Sequence, residues 1–125
     1  MKTIVLDTNF MITALKFNIN IFNELDRISE FKYKLGVVAG TITELEKLIN
    51  RGKLFEKRFA NIALSLIKTK NIKIIDREGY VDEALTTLNP KDYIIATQDK
   101  ELKKKLKLKG FKILIIKQKK YLAIT

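Results

Sequence analysis

Five short runs of β-branched and aliphatic residues punctuate the chain, at Thr3 to Leu6, Gly36 to Ala39, Ile72 to Ile75, Tyr93 to Thr97 and Phe111 to Ile116. Runs this short and this continuously apolar predict buried strands. Between them the apolar period lengthens to that of a helix over 9–17, 20–30, 41–51, 53–68, 80–88 and 99–109, with Gly110 in a helix-stop position. Strands that alternate with helices pair in parallel, because each crossover carries a helix back across a face of the sheet. The expected fold is α/β, a three-layer α/β/α sandwich around a central, mainly parallel five-stranded sheet, with residues 1–125 as one domain. Helices 41–51 and 53–68, broken at Arg51-Gly52, predict a hairpin, and Tyr121 to Ile124 a short additional edge strand. By periodicity Phe10, Met11, Ile12, Leu15 and Phe17 belong to the core, as do Phe55, Phe59, Ile62 and Leu66. A residual exposed part of these stripes would make a face for a homodimer.

The 125 residues contain no His and no Cys. That excludes a Ser-His-Asp triad, a Cys-His pair, a tetrahedral structural zinc site and an imidazole base. Chemistry in such a chain falls to carboxylates, Lys, Tyr, hydroxyls or a hard metal ion. The formal charge is +11, and residues 99 to 120 hold ten Lys against only Asp99 and Glu101. A basic footprint so concentrated points to a polyanionic partner, with nucleic acid the commonest. No apolar run approaches the roughly 20 residues of a membrane span, and MKTIVLDTNF enters a strand pattern too directly for a signal peptide. A soluble, cytoplasmic protein without membrane contacts is expected.

In open parallel sheets, ligands bind beyond the carboxyl ends of the strands. Four acids belong there. Asp7 closes the first strand, Glu44 lies early in the helix after the second, Asp82 begins the helix after the third, and Asp99 follows the fourth in Ala96-Thr97-Gln98-Asp99. Each has a capping explanation: Asp82 and Asp99 as helix caps, Glu44 in a capping box with Thr41, Asp7 before the helix near Asn9. Asp7 is the hardest to dismiss, since it follows the buried run Ile4-Val5-Leu6. Four carboxylates at one edge would repel and raise one another's pKa, and a cation resolves that conflict. Oxygen-only ligands select Mg²⁺ or Mn²⁺, one ion or two. An acidic metal pocket in a basic protein suggests phosphodiester hydrolysis, with neighbouring lysines on the flanking phosphates. Lys100, Lys103, Lys104 and Lys107, beside Asp99, are the candidates for that contact.

The stretches Val5-Leu6-Asp7-Thr8-Asn9, Thr43-Glu44-Leu45-Glu46-Lys47-Leu48, Val81-Asp82-Glu83-Ala84-Leu85 and Ile95-Ala96-Thr97-Gln98-Asp99-Lys100-Glu101-Leu102 together resemble a PIN domain. The likeness spans nearly the whole chain. It implies a three-layer α/β/α nuclease, in most members a ribonuclease, that binds Mg²⁺ or Mn²⁺ through acids matching Asp7, Glu44, Asp82 and Asp99. Thr8, Asn9 and Thr97 match positions that orient the acids or the attacking water, and Glu83 stands where an adjacent Asp is common. Gln98 replaces a common Asn, and Ala39-Gly40 a common Pro. The C-terminal run from Thr97 to Leu122 is most similar to the ribosomal-RNA-processing branch, while the toxin halves of toxin-antitoxin pairs share the same acids. RNA, a homodimer partner, and an antitoxin or ribosome-assembly factors are the partners so implied.

Two rival readings are separable. A non-catalytic RNA-binding or assembly module of the same fold would bind without cleaving. A phospho-acceptor receiver domain has a similar alternation, with Asp76 after the third strand and Lys117 after the fifth, but Thr8-Asn9 stands where its paired acids belong. Asp76 reads as a turn residue, and Asp92, after Asn89-Pro90-Lys91, as a surface group at the opposite end of the sheet. No phosphate-binding glycine loop is present.

Overall fold

In the computed structural model, which describes residues 1–125, β1 (Lys2–Leu6) leads into α1 (Thr8–Lys16) and α2 (Ile21–Ile28), and β2 (Tyr33–Val38) into α3 (Ala39–Arg51) and α4 (Leu54–Thr69). β3 (Lys73–Ile75) is followed by α5 (Val81–Thr86), and β4 (Tyr93–Ala96) by α6 (Lys100–Leu108). β5 (Ile113–Lys117) and β6 (Tyr121–Ile124) end the chain. The strands lie in the order β3-β2-β1-β4-β5-β6, every neighbouring pair parallel except the antiparallel β5-β6.

The period of two along the strands divides the core. Ile4 and Leu6 of β1, with Ile94 and Ala96 of β4, pack on one face against Phe10, Leu25, Leu45, Ala60 and Ala63 from α1 to α4. Val5, Ile95 and Ile113 pack on the other against Val81, Leu85, Leu102 and Leu106 from α5 and α6. These are the two outer layers of the expected sandwich, around six strands rather than five.

The expected sixth strand is present, and a side-chain pair covers its outer edge. Glu24 Oε1 accepts from the Leu122 N–H at 2.9 Å, and Arg27 donates to the Leu122 carbonyl at 3.2 Å. Glu24 and Arg27 are themselves bonded at 3.0 Å. The outward polar groups of Leu122, midway along the strand, are thus occupied, which blunts the edge against pairing with another chain.

Three expectations are corrected. Ala39 opens α3 instead of closing β2: the helix begins directly after Val38, which has no side-chain cap bond. The α4 stripe of Phe55, Phe59, Ile62 and Leu66 is core only in part: Phe59 packs half-buried against it, while Ala60, Ala63 and Ile67 are the buried residues. Small side chains there let α4 approach α1 and α3 closely, leaving Phe55 and Ile62 exposed at the rim. Phe17 is likewise exposed, with Lys119 Nζ 5.6 Å from its ring centroid. No helix is long and apolar enough to cross a membrane.

Candidate functional site

The order of strands reverses at the β1-β4 junction, since the chain leaves β1 for β2 and β3 on one side and places β4 and β5 on the other. That is where an open parallel sheet forms its crevice. Leu6 is in register with Ala96, and the Asp7 N–H donates to the Ala96 carbonyl at 3.0 Å. Asp7 and Thr97, the next residues of each strand, therefore face one another although 90 positions apart.

The Thr97 hydroxyl donates to Asp7 Oδ2 at 2.9 Å and accepts from the Asp99 N–H at 3.2 Å. It links the acid after β1 to the loop carrying the acid after β4. Asp7 stands at the start of α1 but makes no side-chain cap bond, so its capping explanation falls away. Asp7 is 5% exposed, and the pKa of its carboxyl is pushed up from 3.8 to about 6. Burial is the main cause; the Thr97 hydrogen bond opposes it, and the negative charges of Asp82 and Glu44 add to it. Acids from after β1, β2 and β3 thus act on a common point.

Glu44 is exposed on α3 and is not part of a capping box: the Thr41 hydroxyl is buried without a partner. Asp82 and Glu83 are exposed in the first turn of α5. Asp99 does cap its helix, with Oδ1 accepting from the Glu101 and Leu102 N–H groups at 3.0 and 3.1 Å, while Oδ2 takes no hydrogen bond. It does not contribute to the shift at Asp7. No three acids stand assembled as a ready ligand set. Like charges on exposed side chains settle apart by choice of rotamer, and only Asp7 is fixed by burial. The Thr8 hydroxyl, next to Asp7, is a buried oxygen without a partner. The donors are all hard oxygens, which suits Mg²⁺ or Mn²⁺.

Three clefts adjoin these acids. One of about 400 Å³ is lined by Thr8, Asn9, Glu44, Lys47 and Arg51 among others. A second, of about 510 Å³, runs from Glu44 and Lys47 to Gly79 and Tyr80. The third, of about 330 Å³, holds Asp82, Glu83, Lys105 and Lys109. None of Lys100, Lys103, Lys104 and Lys107 lines them. The cations beside the acids are Lys47 and Arg51, one and two turns beyond Glu44, and Lys105 in α6 with Lys109, the residue that ends it. Helical spacing from Glu44 on one side, and from the buried pair Leu102 and Leu106 on the other, is the signal that finds them.

Gln98 is a bracing residue. Its Oε1 accepts from the Ile116 N–H at 2.7 Å and its Nε2 donates to the Ile116 carbonyl at 3.3 Å. β4 has ended by that level, so the side chain continues the ladder to β5 and holds the Thr97-Asp99 loop. Thr97→Val, which keeps the shape and removes both hydroxyl bonds, is expected to release the Asp7 carboxyl from its one side-chain donor. A titration should place the Asp7 pKa higher in the Val variant than in the native protein, and Thr97→Ser should bring it back.

The model of the PIN-like domain family matches residues 4–119. Ribonuclease VapC4 of Methanocaldococcus jannaschii is 36% identical over 127 residues, covering 99% of this chain and 97% of its own. The structure of the PIN domain endonuclease Utp24 superimposes with a TM-score of 0.80 at 26% identity, over 98% of this chain and 90% of that one.

Proposed function

This chain belongs to the PIN-like domain family, and on that footing we propose that it is an endoribonuclease that hydrolyses RNA phosphodiester bonds with the help of Mg²⁺ or Mn²⁺. The observation that carries the proposal is the Asp7 carboxyl, buried at the sheet's switch point under the negative charge of Glu44 and Asp82. Its similarity to a ribonuclease over its full length supports RNA as the substrate. The PIN resemblance accommodates two cellular settings, RNA processing and the toxin half of a toxin-antitoxin pair.

Asp7, Glu44, Asp82 and the free Oδ2 of Asp99 are the groups that would hold one ion or two, with Glu83 beside them. A bound divalent cation supplies Lewis acidity, which offsets charge on a phosphate oxygen and makes a water a better nucleophile at neutral pH. The Thr97 hydroxyl fixes which oxygen of Asp7 points into the crevice, since Oδ2 is already engaged. Thr8 and Asn9, which line the cleft with Glu44, would orient that water. Lys47, Arg51, Lys105 and Lys109 hold the phosphates that flank the scissile one, while the exposed α6 lysines Lys100, Lys104 and Lys107 draw the strand in.

The test is cleavage of an end-labelled single-stranded RNA. Products are expected with Mg²⁺ or Mn²⁺ and none with EDTA, and the new ends should carry no 2′,3′-cyclic phosphate, because water rather than the ribose 2′-hydroxyl attacks. Cyclic ends would overturn the mechanism. Tight, salt-sensitive binding without cleavage under any divalent ion would instead support the non-catalytic RNA-binding module.

A further inference from the structure

At the end of the sheet opposite the acids, the start of β1, the turn before β2 and the turn before β5 enclose a pocket of about 570 Å³. Met1, Ile94 and Ile124 are apolar parts of its lining, and Phe31, 38% exposed, stands beside them. Every charged side chain in the lining is a lysine: Lys2, Lys32 and Lys112. Three ammonium groups with no carboxylate among them repel one another around an apolar surface, an arrangement that an anion with a flat apolar body relieves. We propose that this pocket is a second RNA site, which seats one unpaired base against Phe31 and holds the adjoining phosphates on Lys2, Lys32 and Lys112. Aromatic faces stack bases without regard to sequence, and lysines contact phosphates without reading bases.

The placement gives the site a purpose. Helix α6 leaves Asp99 at the acid end and runs back to the far end, where Lys112 stands between it and β5. Its lysines lie on the α5-α6 face, whereas Ile94 and Ile124 belong to the face packed by α1 to α4, so a strand that reaches the pocket from α6 passes around the end of the sheet. The five residues of β1 separate the two ends by about 16 Å, so a strand that occupies both sites must be several nucleotides long. Short oligonucleotides would reach only one. The inference takes RNA as the ligand from the proposed function, but it is read by binding, not by cleavage.

The experiment measures fluorescence anisotropy of a labelled single-stranded RNA 12-mer with the whole chain in EDTA. Lys32→Glu and Lys112→Glu should each weaken binding about fivefold or more, and Lys32→Ala should reduce the slope of log K against log salt by about 0.7. Phe31→Ala should weaken binding of the 12-mer and leave an abasic 12-mer unaffected. Native affinity and salt slope in the lysine variants would overturn the site, as would equal losses for the normal and abasic strands on Phe31→Ala. So would an acidic peptide that competes with the 12-mer for the same three lysines at equal affinity. A protein that binds in this way but cuts nothing would keep the second site and refute the nuclease reading alone.

Discussion

Asp7→Asn is expected to lower RNA cleavage by at least about 10³-fold, the scale of loss when a charge-stabilising group is removed from an active centre, and at the same time to make the protein more stable at pH 7.5. The carboxyl is buried, and its pKa is pushed up from 3.8 to about 6 by that burial and by the charges of Asp82 and Glu44. An acid whose folded pKa is raised resists ionisation in the fold, so its charged form opposes folding. A difference of about two pKa units corresponds to about 3 kcal/mol. The penalty is fully present above about pH 6 and absent below about pH 4. The native protein should therefore gain stability, as far as this group is concerned, as pH falls from 7 to 4. The Asn variant removes the charge and retains an oxygen for the Thr97 hydroxyl, so its stability should not show this rise. Melting curves from pH 4 to pH 8 on both proteins check the sign, and a variant less stable than the native chain at pH 7.5 would contradict it.

Gly40→Ala is expected to destabilise by about 2 kcal/mol, within the range for forcing an extra methyl into a packed site, and to cut activity with it. A Cβ at position 40 would lie 2.4 Å from the carbonyl oxygen of Gly79. That oxygen belongs to the backbone, so no rotamer change relieves the clash. Gly79 itself has φ of +90°, a conformation its neighbours could not adopt cheaply. Ala is the better helix former by up to about 1 kcal/mol, but near a helix start that gain is smaller than the steric cost. The displaced segment leads through Tyr80 directly into the first turn of α5, where Asp82 sits. Denaturant unfolding and cleavage rates should both move, with activity down about tenfold or more if Asp82 shifts by an ångström. Unchanged stability would mean that the 76–80 segment is free to yield. The same contact explains the Ala39-Gly40 pair at the start of α3, where the resemblance leads one to expect Pro: the loop carrying Asp82 packs against a position that tolerates no side chain.

Much of this was legible in the sequence because it depends on local pattern. Strand and helix alternation fixed the layers, and Asp7 after Ile4-Val5-Leu6 was recognisable as a carboxylate at the end of a buried strand. What depends on strand order was not legible. The meeting of Asp7 with Thr97 requires β1 beside β4 with Leu6 opposite Ala96, and a single sequence carries no record of that register. Capping and site chemistry compete for the same residue types, and only the structure shows which acids cap: Asp99 caps α6, whereas Asp7 and Glu44 make no cap bond. The α4 stripe misled because Phe and Ile dominate a hydrophobicity pattern, while close helix packing selected the alanines between them. Lys105 and Lys109 were missed for a related reason, since the turn of the helix, not nearness to Asp99 in sequence, brings them to Asp82 and Glu83.

The most direct measurement is calorimetric titration of Mn²⁺ into the native protein and Asp7→Asn at pH 5 and pH 7.5. Ligation of a carboxyl with a pKa of about 6 must compete with its proton. Binding is expected at pH 7.5, weaker at pH 5 with release of close to one proton per ion, and lost in the variant at both. Failure of the native protein to bind millimolar Mn²⁺ at pH 7.5, or equal binding by Asp7→Asn, would contradict a metal centre built on Asp7.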